Sequence, residues 1–114
     1  MKDKLFMLRP GFFSGSEGPL YCSDAVAIEG MLSFFPQLRS AIEVEYIDAP
    51  RPRKAIVEVI GEENQSTPVL VLGDAQVVNG PGVTVKEHAG KRFINAPDDI
   101  RRYLSSQYGV AGAS

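Results

Sequence analysis

Few side chains in this sequence are equipped for chemistry: one cysteine, Cys22, one histidine, His88, and a scatter of carboxylates and arginines. A thiol acts as a nucleophile in its thiolate form, and a cysteine at a helix N-terminus meets the positive end of the macrodipole, which favours that form. Cys22 is followed by Ser23 and Asp24, which suit a helix start. Two neighbours work against reactivity. Asp24 brings a negative charge close to the sulfur, and Ala25 occupies the place of a resolving cysteine, so one chain has no dithiol cycle. The plainer reading, a small and partly buried hydrophobe, stays open. His88 has no second histidine or further cysteine with which to build a zinc site, and it reads as a solvated loop residue. Phosphate-cradling glycine patterns, nucleophile elbows and zinc-protease motifs are absent.

The elements that position Cys22 follow from hydrophobic spacing. Leu5–Leu8 is an apolar run ended by Arg9, Pro10 and Gly11, as in a buried strand followed by a turn. Phe12–Leu20, rich in glycine and serine, is expected as an ordered loop leading to Cys22. Ala25, Ile28, Leu32 and Phe35 share one face of a helix that Pro36 closes. Ile42–Ile47 alternates apolar and acidic residues as a half-exposed strand does. A second, short helix carries Ala55, Ile56, Val59 and Ile60 and stops at Gly61. Pro68–Leu72 reads as a central strand.

The stretch 73–91, with Asn79-Gly80-Pro81-Gly82 between valines, is expected as an inserted hairpin or loop. Arg92–Ile94 supplies a fourth strand, and Pro97, Asp98 and Asp99 open a last helix bearing Ile100, Tyr103 and Leu104. The prediction is an α/β fold in the order β-α-β-α-β-β-α: a mixed four-stranded sheet flanked by three helices, with the insertion before the last strand. It forms a single domain over 1–109, followed by a frayed tail at 110–114.

Three signatures carry a resemblance to the thioredoxin-like superfamily, in particular to glutaredoxins and the N-terminal domain of glutathione transferases. They are Cys22-Ser23-Asp24-Ala25 before the first helix, Ser66-Thr67-Pro68 before an apolar strand, and Asn95-Ala96-Pro97-Asp98 at the start of the last helix. The chain also resembles a family of small, uncharacterised bacterial thioredoxin-like proteins. The resemblance implies Cys22 as nucleophile, a cis peptide at Pro68 facing the thiol, and Thr67 as the residue that pairs with a ligand backbone. It implies glutathione as the ligand, with Arg51 and Arg53 on its glycyl carboxylate and Asp98 at its amino group. Tyr21, beside the thiol, either bonds the ligand or packs.

The Asn95–Asp98 stretch argues against that ligand. Pro97 has no N–H and Ala96 no polar group, so the anion grip loses at least one donor. Arg51, Arg53 and Lys54, which could form an anion subsite, also read as solvated charges balancing Asp48, Glu62 and Glu63. Two functions therefore stay open. The favoured one is a non-catalytic interaction module that binds another protein, or a second copy of itself as a homodimer, through its exposed loop and the 73–91 insertion. The other is a monothiol redox or thiol-conjugating enzyme acting on a small thiol or protein.

Composition narrows the partners. A chain of 114 residues with 44% hydrophobic content suffices for one core. A formal charge of −2 with interspersed signs offers no stripe for nucleic acid or an anionic membrane. A lone cysteine and no apolar stretch of signal or spanning length predict a cytoplasmic protein with no bound metal and no resident cofactor.

Overall fold

The computed structural model describes residues 1–114. Strand β1 (Lys4–Leu8) is buried from Leu5 onward because successive side chains serve opposite faces of the sheet. Leu5 and Met7 enter one core; Phe6 and Leu8 enter the other. The same alternation places Leu70 with the first core and Val69 and Val71 with the second, in β5 (Val69–Val71). β1 runs parallel to β4 (Glu43–Ile47), pairing Lys4 with Glu43 through Leu8 with Ile47, and antiparallel to β5. β5 pairs antiparallel with β7 (Lys91–Ile94), which pairs antiparallel with β6 (Lys86–His88). The result is a five-stranded mixed sheet in the order β4-β1-β5-β7-β6.

Helices cover both faces. The first core collects Ile28 and Leu32 of α1 (Ser23–Phe34), Leu38 of α2 (Gln37–Ala41), and Ile100, Tyr103 and Leu104 of α4 (Pro97–Tyr108). The second is closed by Ile56 and Ile60 of α3 (Lys54–Ile60). α3 stops at Gly61, whose φ of +87° disfavours a side chain. No helix is long and apolar enough to cross a membrane.

The α/β class stands, but the element count rises to five sheet strands and four helices. Phe12–Leu20 is a hairpin of its own, β2 (Phe12–Ser14) against β3 (Glu17–Leu20), turning at Gly15 with φ +61°. Its glycines and serines hide the strand pattern in the sequence. Pro36 ends α1 and also starts α2: its fixed φ suits a first helical turn, and burial of Leu38 holds that turn in place.

The insertion is a loop over most of its length, and a hairpin forms only at its end, at a turn other than Asn79–Gly82. The hairpin turn is Ala89-Gly90, both left-handed at φ +49° and +82°, as a two-residue turn with right-handed twist requires. The Asn79–Gly82 stretch makes no turn between paired strands and instead lies along α4. There the Asn79 N–H donates to Gln107 Oε1 at 3.3 Å and the Thr84 N–H to Asp99 Oδ2 at 3.1 Å. Val78, Val83 and Val85 pack on the first core, which buries more apolar surface than pairing with one another in solvent. Past Gly109, the Val110 N–H donates to the Ser105 carbonyl at 3.2 Å and Ser105 Oγ to the Ala111 carbonyl at 3.0 Å.

Candidate functional site

Cys22 is the N-cap residue of α1, with extended backbone, and its half-buried side chain packs against both cores. That places it at the end of the sheet where β1 and β4 finish. On the α1 side it lines a cleft of about 270 Å³. Met7, Leu8, Pro10 and Ala25 form the apolar walls, and Tyr21 and Val26 stand at the rim, 66% and 52% exposed. Glu29 and Tyr46 also line it, and the Tyr46 hydroxyl donates to the Glu29 carboxylate. Burial first, then that bond, holds the Tyr46 phenol above its ordinary range. Arg39 also donates to Glu29, at 3.0 Å, so the carboxylate is neutralised within the protein.

On the other side of the thiol stands Arg53. Its Nε donates to the Ala49 carbonyl at 2.8 Å and its Nη1 to the Gln65 carbonyl at 2.7 Å, with Thr67 Oγ1 at 3.5 Å. Its guanidinium has no carboxylate partner, and neither Arg51 nor Lys54 forms an ion pair. Burial and then repulsion from Arg51 push the Arg53 guanidinium below its ordinary range, while the Cys22 sulfur acts in the opposite sense. Arg51 and Cys22 are therefore each within electrostatic reach of Arg53, which also reaches Thr67. Thr67 is half-buried, and Pro68, buried, leads into β5 across a cis Thr67–Pro68 peptide.

Asp98 is not joined to this group by any contact. It pairs with Arg101 one turn along α4 and lines a separate hollow beside Gly80 and Pro81. Asp99, its neighbour, is the buried carboxylate of that turn and accepts from Thr84 and Arg102. Ala96 caps α4 and Pro97 follows, so the first turn has no side-chain cap. His88 is half-buried in β6 rather than solvated in a loop, and its ring lies against Gly61, where a Cβ would stand 2.7 Å from Nε2. No group of three or more histidine, cysteine or acidic side chains is close enough to hold a metal ion.

The sequence reading missed Val26, Glu29 and Tyr46. Val26 and Glu29 are one helical turn apart beside the thiol, a cue that was present. Tyr46 reaches the cleft because β4 pairs in register with β1, opposite Met7, a relationship no local pattern announces.

A five-stranded mixed sheet with helices on both faces and a single thiol at one end makes this a small α/β protein. The chain belongs to the family described as protein of unknown function DUF3088, whose model matches residues 2–112. No curated protein and no solved structure matches it.

Proposed function

We propose that this protein is a binding module of thioredoxin-like fold that engages a protein partner at the Cys22 end of its sheet. The fold reading is supported by strand order: a parallel β1–β4 pair joined through α1, then β5 and β7 added antiparallel, with Cys22 before the first helix. The observation that carries the functional reading is the apolar cleft with Tyr21 and Val26 exposed at its rim. Apolar side chains grouped around a concavity mark interaction sites far more than scattered ones do. Ala25, Ala96 and Pro97 each stand where catalysis or glutathione binding would want a donor or a thiol.

One observation favours a second reading, thiol exchange: an arginine without a carboxylate partner stands within electrostatic reach of Cys22. In that reaction the thiolate attacks a disulfide R–S–S–R, forms Cys22–S–S–R and expels RS⁻; a second thiol then releases Cys22. Capture of partners from a lysate of the source cells on immobilised protein separates the two. Binding that survives Cys22→Ala and is lost in Val26→Asp supports the module. Binding lost in Cys22→Ala and released by reductant replaces it with thiol exchange.

A further inference from the structure

Resting on the binding-module reading, we propose that the partner presents an extended acidic segment carrying one aliphatic or aromatic anchor: the anchor enters the Cys22 cleft, and its flanking carboxylates meet Arg51, Arg53 and Lys54.

Size and continuity argue for a peptide. At about 270 Å³ the cleft falls below the roughly 300–1,000 Å³ typical of small-molecule sites. It admits one or two apolar side chains. Tyr46 lines both this cleft and the neighbouring hollow formed by Asp48, Pro52, Arg53 and Lys54, so one chain running across Tyr46 reaches both.

Charge decides the sign of the partner. Three carboxylates at this end are already engaged: Glu29 by Arg39, Asp48 by Arg9 and Glu45 by Lys4. Asp24, in the first turn of α1, forms no ion pair but does not line the cleft. The cations are not matched in the same way. Arg51, Arg53 and Lys54, within four consecutive residues, lack any ion pair, and Arg53 is half-buried with its guanidinium held rigid by two carbonyls. A cation that is partly desolvated and left without a counter-charge gains most from an incoming carboxylate, and Arg53 Nη2, which donates to no group within the protein, is left to meet it. Basic or neutral partners would leave that charge uncompensated.

The test is selection of random peptides displayed on phage against the intact protein, with Val26→Asp as the counter-selecting surface. Expected are Val26-dependent peptides in which acidic residues flank a leucine, isoleucine or phenylalanine. Synthetic copies should bind at least about tenfold more weakly to Arg51→Glu/Lys54→Glu, whose two sites are exposed, and more weakly as salt rises. Val26-dependent peptides that are neutral or basic, or indifferent to the double variant, overturn the acidic-partner inference alone. An absence of Val26-dependent peptides overturns the cleft reading beneath it.

Discussion

Asp3 and Tyr103, 100 positions apart in the chain, meet in the interior, where the tyrosine hydroxyl donates to the aspartate carboxylate. The same carboxylate accepts from the Gly73 N–H at 2.7 Å, Gln76 Nε2 at 3.0 Å and the Tyr108 hydroxyl at 2.7 Å. One fully buried side chain thus ties the start of β1 to the insertion and to α4. No buried side-chain polar atom in the structure lacks a partner, and this cluster accounts for much of that at the end of the sheet away from Cys22.

Removing the acceptor strands several donors at once. Asp3→Ala is expected to lower unfolding free energy by about 3 kcal/mol, because buried donors left unpaired pay their desolvation in full. Asp3→Asn, which keeps one acceptor oxygen, should lose less. Urea midpoints at neutral pH measure both, and an Asp3→Ala midpoint equal to wild type would show the cluster to be ornamental.

Alkaline stability should report the same cluster. Burial first, then the bond to Asp3, raises the Tyr103 phenol well above its ordinary value, and Tyr108 shifts in the same direction for the same causes. The unfolded chain releases these protons near pH 10 while the folded chain keeps them, so the unfolded state binds fewer protons above that pH. Stability from the raised phenols is complete below about pH 10 and falls as pH rises beyond it. Relative to wild type, Tyr103→Phe should flatten the decline by up to about 1.4 kcal/mol per pH unit. Urea unfolding from pH 9 to 11, both values being about those bounding the phenol range, gives the slopes; parallel slopes would count against the assignment.

Cys22 offers a direct probe of the cleft it lines. Alkylation with a bulky maleimide should fill part of the about 270 Å³ space and block binding of the selected peptides, whereas Cys22→Ser should leave binding within about threefold of wild type. The comparison is made by fluorescence titration of one peptide against the three proteins. Undiminished binding to the alkylated protein would move the docking surface elsewhere.

How much of this was legible beforehand differs by element. The buried apolar run Leu5–Leu8, the helical spacing of Ala25, Ile28 and Leu32, and the stop at Gly61 are local consequences of residue type, and the structure has them where the sequence put them. The hairpin at Phe12–Leu20 was hidden because its turn chemistry spreads through both strands. In the insertion, two segments carry hairpin-like turn residues; Ala89-Gly90 makes the turn because the strand after it pairs with β5, while Val78, Val83 and Val85, which flank Asn79–Gly82, pack on the first core.

The candidate site divides in the same way. Residue type alone made Cys22 the one thiol, set Asp24 and Ala25 beside it, and removed a donor at Pro97. Tertiary packing brought Arg53 within electrostatic reach of Cys22 and up to Thr67, and brought Tyr46 across from β4 to complete the cleft, while Asp98 pairs locally with Arg101 one turn along α4. The reason is physical: propensity and period act over a few neighbouring residues, whereas a site at the end of a sheet depends on strand register and on which charges find partners first, and both are settled only when distant segments pack.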